Sequence, residues 1–178
     1  MIVLEGLPAL SAFRRDRLQS RLQQIVPDAS IAGAWHLYFV DTHAELHDTA
    51  TLGRILEGCI GRTEALTGAV SRIVTPRLGT RSPWSSKATD IAHNCGLATI
   101  KRLERGVLYR IHGITEAALE PLAPALHDRM TQSILRTTAE AAALFAATAP
   151  KPMTSVPVLQ GGKQALMDAN RELGLALA

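Results

Sequence analysis

The sequence predicts an α+β domain, an antiparallel sheet with helices packed on one face. Three observations carry this. Over residues 1–112, short runs rich in β-branched and aromatic residues alternate with segments of helical period. The connections between them are short. Apolar residues make up 47 % of the 178-residue chain but aromatics only 4 %, so Leu, Ile, Val and Ala must fill the core.

The elements follow in order. "IVLEG" (2–6) is a short strand, broken by Gly6 and Pro8. "LSAFRRDRLQSRLQQIV" (10–26) is a helix; Ser11 can cap it, Leu18, Leu22 and Ile25 recur at helical spacing, and Pro27 ends it. "IAGAWHLYFV" (31–40) is a strand with Trp35, Leu37 and Phe39 on one face. "ATLGRILEGCIG" (50–61) is a second helix, with Leu52, Ile55, Leu56 and Cys59 on one side. "VSRIVTP" (70–76) and "GVLYRIHG" (106–113) are strands. "TEAALEPLAPAL" and "HDRMTQSILRTTAEAAALFAAT" are helical in pattern, Pro121 and Pro124 interrupting the first. "APKPMTSVP" (149–157) is a Pro-rich linker, and residues 162–178 begin a further helix that stops without a cap, as if the natural chain continues. No internal repeat is evident, and ferredoxin-like units are the architecture such an element count suggests.

The net charge of +3 is unevenly placed. Residues 71–112 hold eight Lys/Arg against two Asp/Glu, whereas the flanking segments are slightly acidic. A local excess favours an anionic neighbour: a phosphate ligand, a nucleic acid or an acidic protein face. A solvated basic surface is the plainer alternative. No run approaches the roughly 20 apolar residues of a membrane helix. With only Cys59 and Cys95 there is no disulfide framework, and "MIVLEGLPALSAF" has no basic leader, so a cytoplasmic location is expected.

The chemistry-bearing residues crowd into "RSPWSSKATDIAHNCG" (81–96). Pro83 forces an extended entry, and Ser85 or Ser86 stands where an N-cap belongs. Ala88, Ile91, Ala92 and Cys95 form the expected buried stripe, and Gly96 sits at C′. Cys95 is then a buried, inert thiol, with His93 turned away from it. Asp90 and His93 are too few for a zinc site. The helix start, with Ser85, Ser86, Lys87 and the preceding Arg77 and Arg81, suits an anion. Alternatively the serines merely cap and Lys87 pairs with Asp90. "LQGGKQ" (159–164) fails as a P-loop, since Pro157 takes the first glycine position and Gln164 replaces Ser/Thr. No complete catalytic or metal-ligand constellation stands in the sequence.

As whole strings the same residues say more. "LEGLPALSAFR", "TPRLGTRSPWSSKATDIAHNCGL", "RLERGVLYRI", "LHDRMTQSIL" and "TSVPVLQGGKQALMDANRELGLALA" closely resemble the N-terminal part of the large single-chain phosphoribosylformylglycinamidine synthases. Leu78 stands where that family usually has proline, and Arg81 where it usually has an apolar residue. The resemblance implies a domain over 1–148 like a dimer of the small PurS subunit of multi-subunit versions. It implies the start of a helical linker domain over 149–178. The family enzyme is a ligase of purine biosynthesis that uses ATP, magnesium and glutamine. Its synthetase and glutaminase sites would lie outside this sequence, leaving no catalytic residue, metal or cofactor here. Arg77, Arg81, Ser85, Ser86, Lys87, Asp90 and Asn94 are then candidates for anion or interdomain contact. The expected partners are the synthetase and glutaminase domains of the same enzyme, with no nucleic acid and no membrane. A freestanding bridging subunit is the alternative. A nucleic-acid module is a third reading, resting only on the basic segment and lacking interleaved aromatics.

Overall fold

The computed structural model describes residues 1–57, 59–60, 69–146 and 152–176. The chain divides into two compact units, Met1–Ala147 and Thr148–Ala178.

The first unit is built on one six-stranded sheet, antiparallel throughout. In chain order its elements are β1 (Ile2–Pro8), α1 (Ala12–Gln23), β2 (Ser30–Thr42), α2 (Thr49–Leu56), β3 (Cys59–Ile60), β4 (Val70–Pro76), α3 (Pro83–Asn94) and β5 (Ile100–His112). A 3-10 helix (Ala117–Leu122), α4 (Ala123–Leu126), β6 (Gln132–Leu135) and a second 3-10 helix (Ala139–Leu144) complete it. The strand order is β3-β1-β2-β5-β4-β6. It reads the same from either edge: β1, α1, β2 and β3 are wired as β4, α3, β5 and β6 are. The α+β class and the ferredoxin-like units are as expected, and the doubling appears in the strand order although no repeat shows in the sequence. β2 and β5, each 13 residues long, join the halves in a register running from Ser30 with His112 to Thr42 with Ile100.

Period-2 alternation decides which residues face which way. One face is covered by helices and carries two clusters. Leu4, Tyr38, Val40 and Leu103 pack under α2 and α3, through Leu52, Leu56, Ala88 and Ala92. Ile31, Ala34, Tyr109 and Ile111 pack under α1, the first 3-10 helix and α4, through Leu22, Leu119, Leu122 and Leu126. The opposite face is not bare. Leu37, Phe39, Ile73, Leu108 and Leu135 are covered by Ala141 and Leu144 of the second 3-10 helix. Gly6 allows the close approach of Tyr38, since a Cβ there would meet Tyr38 Cε2 at 2.5 Å.

Three expectations change. The second helix ends at Leu56, with Glu57 left-handed (φ 48°), and Cys59 belongs to a strand that pairs with β1. The segment after His127 is not a helix: β6 pairs with β4 there, and the Ala-rich part makes only 3-10 turns. The segment before it is a 3-10 helix and one α turn, because Pro121 and Pro124 withhold backbone donors. Ser11 does cap α1, its hydroxyl accepting from the Arg14 amide at 3.4 Å.

The second unit is dominated by α5 (Val158–Leu173), kinked at Gly162 and closed by left-handed Gly174. None of its residues is buried. "LQGGKQ" lies inside this helix and forms no loop of its own.

Candidate functional site

α3 is one turn more advanced than the sequence suggests. Its N-cap is Ser82, not Ser85 or Ser86, and Pro83 takes the first helical position, where a missing N–H costs nothing. The Ser82 hydroxyl accepts from the Ser85 amide at 3.0 Å and donates to Glu104 Oε1 at 2.6 Å. Glu104 is fully buried. Its Oε2 accepts from the Ser82 amide at 3.4 Å and from Arg102 Nη2 at 2.8 Å, and Oε1 also accepts from the Arg105 amide at 3.1 Å. The helix start therefore does hold an anion, and that anion is the protein's own carboxylate.

The buried stripe is rotated accordingly. Ser85, Ala88, Thr89 and Ala92 face inward, whereas Ile91 is 43 % exposed and Cys95 is exposed. Cys95 is thus not the buried thiol expected: it is the C-cap residue, outside the packed face, and left-handed Gly96 (φ 86°) follows it. The buried polar groups are satisfied by the edge of β5 that β4 leaves uncovered. The Ser85 hydroxyl donates to the Leu103 carbonyl. The Leu103 amide donates to Thr89 Oγ1 at 3.0 Å, and Thr89 Oγ1 donates to the Ser85 carbonyl at 2.7 Å. Arg102 closes the network. Its Nε donates to Ser85 Oγ at 3.2 Å, Nη1 to the Leu144 carbonyl at 2.8 Å and Nη2 to the Thr80 carbonyl at 2.7 Å. Its guanidinium lies 5.4 Å from the Phe145 ring centroid. His93 Nε2 lies 2.6 Å from the Ile100 carbonyl and pins the other end of α3.

The structure separates the remaining candidates. Arg77 is exposed and donates to the Met130 carbonyl at 3.4 Å. Arg81, Lys87, Asp90 and Asn94 are exposed and Ser86 is half-buried. Lys87 and Asp90 form no ion pair with each other, so that alternative also falls. Lys87 instead borders an apolar groove of about 180 Å³ between α2 and α3, lined by Ile55, Leu56, Trp84, Ala88 and Ile91.

The basic segment has a similar explanation. Arg72 meets Glu116 at 2.6 Å, Arg102 meets Glu104, Arg110 meets Glu5 at 3.8 Å, and Lys101 meets Asp41 at 3.5 Å. Arg72 and Arg110 are themselves buried. Glu5, Asp41 and Glu116 come from outside residues 71–112. Much of the excess is therefore matched by distant carboxylates once the chain folds. The Arg72 side chain holds the Glu116 carboxyl below its usual pKa, chiefly by hydrogen bonding.

One feature of the sheet was not singled out in the sequence. His36, Tyr38 and Trp84 stack in a row, with centroid separations of 6.2 and 5.8 Å, and the Arg105 guanidinium sits 5.0 Å from the Trp84 centroid. Burial, and then Arg105, lowers the His36 pKa; burial raises that of Tyr38. The available signal was the alternation of His36 and Tyr38 on one face of β2. Among the described residues no group of three or more His, Cys, Asp or Glu could hold a metal ion. No described helix is long and apolar enough to cross a membrane.

Fold and network together define an α+β domain in which the buried polar groups at the start of α3 pair internally with Glu104 and Arg102 of β5. The model of the formylglycinamide ribonucleotide amidotransferase N-terminal family matches residues 35–145, from β2 to just past the second 3-10 helix, and the chain belongs to that family. The family name ties it to an amidotransferase of purine biosynthesis.

Proposed function

We propose that this chain is the N-terminal scaffold of a phosphoribosylformylglycinamidine synthase, the cytoplasmic ligase that uses ATP and glutamine to make formylglycinamidine ribonucleotide. Its role is structural and interdomain, and it has no activity alone. The single observation that carries this reading is the internal filling of the α3 helix start by Glu104. That leaves the outer side of α3, with Arg81, Lys87, Asp90 and Asn94, for contact with the synthetase and glutaminase domains. The groove beside Lys87 supports it, because an exposed apolar strip rimmed by a cation suits a protein surface. ATP and magnesium would bind in the synthetase domains, and residues 1–148 and 149–178 correspond to the PurS-like domain and the start of the linker domain.

The test is Arg81→Glu with Lys87→Glu in the complete synthase. The expected result is a fall in the glutamine-dependent rate larger than any fall in the ammonia-dependent rate, with stability unchanged. Unchanged rates with both donors would overturn the interdomain role of this face.

A further inference from the structure

We propose that the outer face of α1 is a docking surface for an acidic protein helix, one with carboxylates at helical spacing and an apolar side chain that covers Phe13. The face is made of Phe13, Arg14, Arg17 and Arg21, all exposed. Offsets of three and four residues put them along one side of the helix. Phe13 is 74 % exposed.

Local stability does not account for this row. Arg14 and Arg17, and Arg17 and Arg21, are like charges at neighbouring positions of the helix surface, which repel. Arg14 stands in the first turn, where the helix dipole disfavours a cation, and no acidic residue accompanies it there. Among the described residues no carboxylate pairs with any of the three; Asp16 meets Arg15 instead, at 3.6 Å. Breaches of local preference of this kind concentrate at functional positions. The helix that carries them is nevertheless held firmly. The Gln19 side chain donates to the Ala29 carbonyl and accepts from the Ile31 amide, both at 2.7 Å, and Leu22 is fully buried. The row is therefore presented on a fixed support, and docking orders little backbone.

Charge and size choose the occupant. Guanidiniums pair with carboxylates in a planar fork, and Arg with an aromatic anchor is the composition of protein interfaces. From Arg14 to Arg21 the axial distance is about 10 Å, two turns of a facing helix and short for a nucleic-acid backbone. A lipid surface fits poorly, because the apolar side of α1, Leu18 and Leu22, is spent on the cluster beneath it. This surface is on a different helix from Arg81 and Lys87, so the two readings fail separately.

The 178-residue chain is titrated against a fluorescein-labelled, stapled helical peptide with Glu at i, i+4 and i+7 and Leu at i+8, the antiparallel complement of the row. A control peptide has the same composition with its glutamates spread round the helix. We expect a saturable rise in anisotropy with the patterned peptide, weakened by added sodium chloride. Arg17→Glu with Arg21→Glu should weaken it about ten-fold or more, and Phe13→Ala about ten-fold. These positions are exposed, so the circular dichroism of the variants should match the parent. Should the charge-reversed variant not fold, Arg17→Gln with Arg21→Gln decides by the same criterion. No saturation up to about 1 mM peptide, equal binding of the control, or binding that survives the variants overturns the proposal. Tighter binding of a DNA duplex or of phosphatidylserine vesicles than of the patterned peptide overturns it as well.

Discussion

Replacing Glu104 by Gln tests the reading of α3 most directly. The change keeps shape and volume but removes the charge. The carboxylate accepts four hydrogen bonds, two from Ser82, one from Arg102 and one from the Arg105 amide. A glutamine can present only one oxygen, so its NH₂ must face at least one of these donors. Arg102, 13 % exposed, loses its counter-charge while its other bonds hold it in place. Breaking a buried pair from one side costs about 3–5 kcal/mol; because Arg102 keeps some solvent, the lower end, about 3 kcal/mol, applies. In a unit of this size that lowers Tm by roughly 6–12 °C. The assay is urea unfolding by circular dichroism, with Arg102→Met and the double variant Glu104→Gln/Arg102→Met completing a cycle. The double variant should be less destabilised than the two singles together by at least about 1 kcal/mol, since each single leaves its partner stranded. A loss below about 1 kcal/mol for Glu104→Gln, or strict additivity, would refute the claim that α3 is built on an internal anion.

Other outcomes follow from the same structure. Gly96→Ala meets no neighbouring atom, so it should cost only the left-handed strain at φ 86°, about 1–2 kcal/mol by urea unfolding. Gly6→Ala places a Cβ 2.5 Å from the buried Tyr38 ring, and overpacking of this kind costs about 1–3 kcal/mol. The depressed pKa of His36 means that the unfolded chain takes up a proton before the folded one does. Its contribution to stability is therefore complete above the usual histidine range and is lost as pH falls through that range toward the folded value. His36→Phe should flatten the stability profile between about pH 7.5 and 5 relative to the parent, and parallel profiles would contradict this. Cys95, being exposed, should react with a thiol reagent in the native chain without prior unfolding.

The strands were legible because their signal is local. The alternation that sets Trp35, Leu37 and Phe39 on one face of β2 is the alternation the structure shows. β6 was not legible. It has four residues beside an Ala-rich run of high helical propensity, and pairing with β4 overrides that preference. The cap of α3 was misplaced by one turn, although Pro83 signals it: proline at the first helical position puts the cap on Ser82. That shift exchanged Ile91 and Cys95 for Ser85 and Thr89 on the buried face, a polar choice that makes sense only beside the bare edge of β5. The partners of Arg72, Arg102 and Arg110 were equally hidden. A charge count along the chain cannot say which distant carboxylate the fold will bring to each guanidinium.

The joining of the halves by β2 and β5 has a consequence for how the molecule can be made. Partners across that seam are roughly 60 to 80 positions apart, so the seam closes late and the first unit should fold slowly for its size. Until it closes, a half that has already formed presents a 13-residue strand with one open edge. Another copy of the same half is the partner best matched to that edge in length and direction. Nascent or nicked chains would therefore tend to couple crosswise, second halves exchanging between molecules, and refolding yield should fall with protein concentration even though the finished sheet keeps both long strands inside.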